Sequence, residues 1–362
     1  MAQDVIDVAG TATYCPNGRR ESGNVGPLAN VGALMIRTRP TTRTRQGQRR
    51  CFIHVGTHKT GTTSIQCFLS GNQERFNAAR VFFPTAGREE DATIAHHQLA
   101  KELLGLPTFV PARGGLEAVA RELECADADV ACLSSEDFAF LYNAPRALSR
   151  LRDAIRDAGY APRIIAYLRP QASYCSALYA ENVRQGYRVS FERYFSDVLE
   201  FGTYTWSGGP GQPFDYSVFL DGFAAVFGSD AIIARTYRSG AGIKALPRSF
   251  AKLTLPSHYR ADTFDIPKVR HNTSLDFGEV LRLLGVEHEM TERLRFAPLD
   301  IGKAARLGAR FLSSNIALAR RFRVTVPALE PLDIGLASPL RLTRSQTAAI
   351  VWARRTLARA GE

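Results

Sequence analysis

Long hydrophobic runs are missing from this chain of 362 residues. No stretch approaches the ~20 consecutive apolar residues of a membrane-spanning helix, so no transmembrane segment is expected. The N-terminus carries Asp4 and Asp7 rather than a basic segment followed by an apolar one, and no secretory leader is expected. The six cysteines (Cys15, Cys51, Cys67, Cys125, Cys132 and Cys175) include no C-x-x-C pair and no metal-type spacing with histidine. Several lie in apolar runs such as Val130-Ala131-Cys132-Leu133, where a thiol acts as a small hydrophobe. That usage argues for a reduced, cytoplasmic protein.

A basic middle is missing as well. The chain carries 46 basic and 35 acidic residues, a net charge of +11, which would point to a polyanion partner if it were evenly spread. Residues 1–50 hold eight Arg against three acids, and residues 301–362 hold eleven basic residues against three acids. The 250 or so residues between them carry 27 basic and 29 acidic groups. No nucleic-acid partner is expected of a core that is close to neutral. The basic ends read as a tail and as solvated helix faces.

What is present begins with that tail. Residues 1–48 are rich in Gly, Pro, Thr and Arg without periodicity and read as disordered. Met35 stands just before Ile-Arg-Thr-Arg and the first strand, so residues 1–34 are a segment whose translation is in question. From about Arg50 strands and helices alternate: strand 51–55, helix 61–71, a short strand at Arg80–Pro84, helices over 95–104 and 115–125, strand 130–133, helix 145–158, strand 163–168, and helix 170–186 with Pro170 in its first turn. Helices near 190–200 and 215–227 flank a Gly/Pro/aromatic loop at 202–213, and strand 231–237 follows. Beyond about 274 the pattern is helical, with Leu/Ala/Arg repeats at 303–322 and 345–360. This alternation predicts an α/β fold, a three-layer sandwich of P-loop type with a central parallel sheet, ligands at the C-terminal strand ends, and a helical C-terminal extension. The expected organisation is a tail (1–48), an α/β domain (49–300) and its helical extension (301–362).

Three strand ends carry polar residues. After the first strand comes Val55-Gly56-Thr57-His58-Lys59-Thr60-Gly61-Thr62-Thr63-Ser64, a turn bounded by glycines that opens a helix. Backbone N–H groups and a helix N-terminus then converge on one spot, which favours a phosphate or sulfate. A nucleoside-triphosphate loop reads G-x-x-x-x-G-K-[ST], with Lys after the second Gly. Here the Gly spacing is kept, but position 62 is Thr and the only lysine is Lys59, inside the turn. The second strand end is Ser134-Ser135-Glu136-Asp137. The third is Arg169, with Ser173 and Ser176 on the helix that follows. Two anion sites on neighbouring strand ends fit a nucleotide with phosphates at opposite ends of its ribose.

On these residues the chain resembles the sulfotransferases that use 3′-phosphoadenosine 5′-phosphosulfate (PAPS), in particular bacterial carbohydrate-type members. The 5′-phosphosulfate loop of that family stands here as Lys59-Thr60-Gly61-Thr62-Thr63, and its 3′-phosphate motif as Tyr167-Leu168-Arg169-Pro170-Gln171 followed by Ser176-Ala177-Leu178-Tyr179. The likeness extends to Phe82-Phe83-Pro84, His96-His97-Gln98, Leu133-Ser134-Ser135-Glu136, Arg235-Thr236-Tyr237-Arg238 and His271-Asn272-Thr273-Ser274, covering roughly 51–285. The resemblance implies that His58, Lys59, Thr60, Gly61, Thr62 and Thr63 hold the 5′-phosphosulfate, and that Arg169 holds the 3′-phosphate with Ser176 or, given a shortened spacing, Ser173. It implies Lys59 as the cation that stabilises charge on the leaving phosphate oxygen, with no metal required. It implies a carbohydrate or glycolipid hydroxyl as acceptor, and leaves the oligomeric state open.

The acceptor needs a general base within hydrogen-bond reach. Glu136 is the first candidate, His97 the second and His58 the third. Glu136 can equally cap the segment after its strand, and His54, inside the first strand, reads as a core histidine. Segments 84–113 and 202–213, with Trp206, are expected to meet the acceptor, as are Arg320, Arg321 and Arg323. Two rival readings stand beside this one. One is a Mg-dependent P-loop kinase or nucleotide hydrolase with Ser135-Glu136-Asp137 supplying the magnesium-binding acid after a buried strand; the other is a non-catalytic nucleotide- or glycan-binding protein of the same fold.

Overall fold

The computed structural model describes residues 47–89, 94–187, 189–205, 211–237, 244–256, 259–260, 263–266 and 299–326. These residues belong to one unit that begins at Gly47. The chain enters at β1 (Arg50–His54), turns into α1 (Thr62–Gly71) and α2 (Gln73–Ala78), and reaches β2 (Val81–Phe82). Helices α3 (His97–Leu103) and α4 (Leu116–Cys125) lead to β3 (Val130–Ser134). A 3₁₀ run over Glu136–Asn143 and helix α5 (Pro145–Asp157) precede β4 (Ala161–Leu168). Then come α6 (Gln171–Arg184), α7 (Phe191–Phe201), the short strands β5 (Thr203–Tyr204) and β6 (Gln212–Pro213), α8 (Tyr216–Phe227), β7 (Ile232–Thr236), α9 (Ala245–Thr254) and α10 (Ile301–Phe322).

Five of the strands form one sheet in the order β2-β3-β1-β4-β7, and every pairing in it is parallel. The architecture is the α/β sandwich that the alternation predicts. Because side chains alternate across a strand, each strand feeds both faces. Cys51 and Ile53 of β1, Ala131 and Leu133 of β3, and Ile164, Ala166 and Leu168 of β4 pack against α3 to α8 and α10. Phe52, Val130, Cys132, Ile165 and Tyr167 point the other way, onto Ile65, Phe68 and Leu69 of α1, Phe76 of α2 and Phe250 of α9. Strands covered on both sides read as continuous apolar runs, and these do. The chain order places β3 on one side of β1 and β4 on the other, so the topological switch point lies at the C-terminal end of β1.

Two sequence expectations shift by a few residues. Strand β4 starts at Ala161 and contains Pro162, although proline reads as a strand boundary. It is tolerated because Pro162 is in register with Cys51 of β1, whereas pairing with β7 begins only at Ile164. Pro170 is the cap residue before α6 rather than a member of its first turn. Helices α2 and α9 and the β5–β6 pair fall outside the sequence reading. Trp206, Arg238, the stretch 271–274, the repeats at 345–360 and the tail 1–46 lie outside the described residues. The described cysteines Cys51, Cys67, Cys125, Cys132 and Cys175 are free thiols. No helix among the described residues is long and apolar enough to cross a membrane.

Helix α10 belongs to the core. Ala304, Leu307, Phe311, Asn315, Leu318 and Phe322 are buried along one stripe, and the Asp300 carboxylate caps the helix by accepting from the Lys303 N–H at 2.7 Å. The one polar residue in that stripe is matched. Gln171, at the start of α6, donates to Asn315 Oδ1 at 2.9 Å, and Asn315 Nδ2 donates back to Gln171 Oε1 at 3.2 Å. Both amides are fully buried or nearly so. Replacing Asn315 by Leu leaves the Gln171 amide buried without its partner, so Asn315→Leu is expected to cost about 1–3 kcal/mol in urea unfolding. A midpoint equal to wild type would show that the pair contributes nothing.

Candidate active site

The turn after β1 is built on three residues in the left-handed region: Gly56 (φ 79°), Lys59 (φ 58°) and Gly61 (φ 77°). Glycine is required at both ends. A Cβ at Gly56 would lie 2.9 Å from the Glu136 Cα, and one at Gly61 would lie 2.7 Å from the Leu246 side chain. Lys59 has no such freedom and holds a conformation that costs on the order of 1 kcal/mol, of the kind that collects at functional sites. The Thr60 hydroxyl donates to the Thr57 carbonyl at 2.5 Å and tightens the turn. Gly61 then caps α1 with no side chain capping the first N–H groups, so the head of this ten-residue helix presents backbone donors beside Thr62 and Thr63.

Lys59 is not solvated. Its ammonium donates to Glu181 Oε2 of α6 at 3.2 Å, and both side chains are largely buried. Glu181 also accepts from Arg184 and, at 2.9 Å, from Gln185. Burial alone would push the Glu181 carboxyl up, but the donors from Arg184, Gln185 and Lys59 outweigh it and bring it down to about 2. Arg169, at the end of the neighbouring strand β4, donates from Nη1 to the Lys59 carbonyl at 3.0 Å and from Nε to Ser173 Oγ at 3.2 Å. Its own carbonyl accepts from the Tyr216 hydroxyl at 2.6 Å. Of the two candidate serines, Ser173 is thus bonded to the arginine. Arg169 precedes the cap residue Pro170 and lies outside α6, so it reaches over the first turn of the helix to meet Ser173.

The turn after β3 closes the other side. Glu136 Oε2 accepts from Gln66 of α1 at 3.0 Å and lies 4.0 Å from His97 Nε2. Asp137 stands between two imidazoles: its Oδ2 is 2.9 Å from His97 Nδ1, and its Oδ1 is 3.7 Å from His58 Nε2. Burial would raise the Asp137 carboxyl, but the His58 and His97 rings hold it well below the usual carboxylate range. It is Ser135, not Glu136, that caps the 3₁₀ run, its Oγ accepting from the Asp137 N–H at 3.1 Å. Of the candidate bases, Glu136, His97 and His58 thus gather on one side of the Lys59 turn, and Asp137 joins them. Among the described residues, no group of three or more His, Cys, Asp or Glu side chains could hold a metal ion.

Several buried polar atoms in and beside this turn have no hydrogen-bond partner among the described residues: Thr57 Oγ1, Thr62 Oγ1, His58 Nδ1, Gln66 Oε1 and Tyr174 OH. Tyr174 faces Thr57 without a hydrogen bond of good geometry. Buried polar groups are ordinarily paired, so a cluster of unpaired ones marks a surface made for a polar ligand. Nothing in the sequence singled out Glu181, Gln66 or Tyr174, and Asp137 was read only as part of the polar strand end and as a candidate magnesium ligand, not as a partner of histidines. The acidic pair 136–137 was the one available signal.

Arg321 of α10 lies elsewhere. Arg321 pairs with Asp221 and donates to Ser229 Oγ at 3.1 Å, and Ser229 precedes the first residue of β7, at the strand end remote from the turn. Arg321 is therefore held at the strand end opposite the turn, while the chain two residues beyond Arg323 returns to the C-terminal end of β7, where the Thr236 hydroxyl donates to the Thr325 carbonyl.

No family model and no curated protein matches the chain. Among solved structures, the crystal structure of a sulfotransferase from Alicyclobacillus acidocaldarius is similar at 17% identity, over 73% of this chain and 96% of that one, with a TM-score of 0.35. A superposition that loose carries no weight for function.

Two further histidines lie under the site. His54, on β1, is 2.9 Å from Ser134 Oγ and is packed edge-on against Tyr167 and Phe250. His96 accepts from the Ser134 N–H at Nδ1, which leaves Nε2 to donate to the Pro84 carbonyl at 3.2 Å. Burial brings both down to about 3, so both are neutral in the folded protein. Unfolded, each binds a proton near pH 6.5, so stability falls as pH drops from about 6.5 towards 3. The expected loss between pH 7 and pH 5 is roughly 2 kcal/mol per ring, measured by urea unfolding. His54→Gln should remove about half of that pH dependence, and an unchanged dependence would place the buried protons elsewhere. Gly56→Ala should cost about 1–3 kcal/mol, because both its φ and the Glu136 backbone oppose a Cβ; a wild-type melting temperature would show that the turn can move aside.

Proposed function

We propose that this chain is a sulfotransferase that takes the sulfuryl group from PAPS and passes it to a hydroxyl of a carbohydrate acceptor, such as a polysaccharide, a lipopolysaccharide or a glycolipid. The observation that carries the reading is the position of the one lysine. Lys59 sits inside the turn, between two left-handed glycines, at the head of α1 and beside Arg169 of the next strand. A triphosphate loop would carry its lysine after Gly61, where this chain has Thr62.

The residues present fit the donor. Thr57 and Thr62 are buried with hydroxyls unpaired among the described residues, and the first turn of α1 offers backbone N–H groups to an anion. Thr60, Gly61, Thr62 and Thr63 would hold the 5′-phosphate, with His58 and Lys59 at its sulfuryl side. Arg169, already aligned by Lys59 O and Ser173, would take the 3′-phosphate. Bound there, PAPS supplies an activated sulfuryl group on a phosphate leaving group. Lys59 contributes a fixed positive charge where the leaving oxygen gains negative charge, and in a site sheltered from water that charge counts for more than it would in solution. Glu136 and His97 face one another across 4.0 Å, a gap that one acceptor oxygen can bridge. The proton of the acceptor hydroxyl leaves to that pair. The carbohydrate class of the acceptor is supported by the motif resemblance, and the α/β unit with its C-terminal helix is read as one domain.

Calorimetric titration with 3′-phosphoadenosine 5′-phosphate in EDTA tests the donor site. Tight binding, weak ATP binding and loss of affinity in Arg169→Ala are expected. Failure of the folded protein to bind the bisphosphate would sink the reading, and a strict magnesium requirement would favour a kinase or hydrolase. Lys59→Ala should lower sulfuryl transfer by about 100-fold or more while bisphosphate affinity changes far less, since the charge is needed chiefly in the transition state. Equal losses in both would leave a binding protein rather than an enzyme.

A further inference from the structure

Asp137, read from the sequence only as a candidate magnesium ligand, is held from two sides in the structure. It is held between His97 of α3 and His58 of the turn, at 2.9 Å and 3.7 Å, and its backbone N–H is fixed by Ser135. The short contact settles a tautomer. Asp137 is a carboxylate with no proton to donate, so an unprotonated Nδ1 at 2.9 Å would set lone pair against lone pair. His97 Nδ1 therefore carries the hydrogen and donates it to Asp137 Oδ2. Ser135 Oγ, also 2.9 Å from Nδ1, shares that donor. In the neutral ring the basic nitrogen is then Nε2, on the side that faces Glu136.

We infer that Asp137 is a positioning residue that fixes the orientation and tautomer of His97, making His97 Nε2 the general base for the acceptor hydroxyl and leaving Glu136, held by Gln66, to orient that hydroxyl. This rests on the sulfotransferase reading of the same site. In the step itself, His97 Nε2 takes the acceptor proton while the acceptor oxygen bonds to sulfur. The bond from sulfur to the 5′-phosphate oxygen breaks, and its electron pair leaves on the phosphate. Asp137 stays ionised and stabilises the imidazolium that forms, the role a buried carboxylate plays behind a catalytic histidine. Its second oxygen faces His58, the residue before Lys59, so one carboxylate ties the base to the turn that carries the cation.

The titratable groups around His97 are Asp137 and Glu136 from the turn after β3, His58 from the turn after β1, and His96 beside it, which is buried and neutral. Removing the Asp137 charge should lower the pKa of His97. The first test is an NMR titration of the histidine rings in wild type and Asp137→Asn, which needs no substrate. A fall of one pH unit or more for His97 is expected, about tenfold in its proton affinity. The second is kinetic. Asp137→Asn should lower kcat by about 100-fold with bisphosphate affinity within about threefold of wild type, and should move the acid limb of the pH–rate profile to lower pH. Asp137→Glu, which keeps the charge, should recover part of the rate and most of the His97 pKa, and it serves if the Asn variant does not fold. An unchanged His97 titration in Asp137→Asn, or a rate loss with no movement of the acid limb, would overturn the assignment. If the wild type transfers no sulfuryl group although the titration shifts as expected, the sulfotransferase reading fails while the coupling of Asp137 to His97 stands.

Discussion

The site depends on a side chain that is not there. Gly56 lets the turn after β1 pass against the backbone of Glu136, with room for no more than a hydrogen at its Cα. That contact sets the turn after β1 and the turn after β3 side by side, and everything polar in the site follows from it. His58 comes within reach of Asp137, Gln66 within reach of Glu136, and Lys59 is carried to the far side, where Glu181 waits on α6. A parallel sheet makes this economical. Adjacent strands β3, β1 and β4 all end at the same edge, so three unrelated stretches of sequence deliver their polar residues to one place without any long excursion of the chain.

The charges in that place are balanced before any ligand arrives. Lys59 is matched by Glu181, which is matched in turn by Arg184, and Arg169 is spent partly on bracing the carbonyl of Lys59. A buried cation without such partners would be strongly disfavoured, and its partner carboxylate would be forced to protonate. Here the carboxylates stay ionised because donors outweigh the cost of burial. Cations already held in fixed positions need less reorganisation to meet an anion than solvated ones would.

The layers of the fold could be read from the sequence because burial on both faces writes long apolar runs, as in Val130–Leu133 and Ile164–Leu168. The turn after β1 could be read because two glycines and a helix start have local signatures. What could not be read were the meetings of distant side chains. Lys59 and Glu181 are 122 residues apart, and no periodicity tells that one ends against the other. The same holds for His97 and Ser135, 38 residues apart. Local pattern also left the second serine open between Ser173 and Ser176, and it took the packed structure to show Ser173 bonded to Arg169. Glu136 and Asp137 were visible as an acidic pair, and only the packing of α3 against them shows that the second of the two touches a histidine.

The two edges of the sheet carry a different consequence. A parallel sheet with open margins is a template on which a foreign strand can lie. Among the described residues one margin is β2, which offers only Val81 and Phe82, too few residues to hold a guest, and the opposite margin is β7. That second strand is five residues long, and its last residue is engaged: the Thr236 hydroxyl donates to the Thr325 carbonyl at 2.5 Å, between the buried side chains of Val324 and Val326. The segment that follows α10 thus ties down the last residue of β7, and shortening the chain before Val324 would release that strand end.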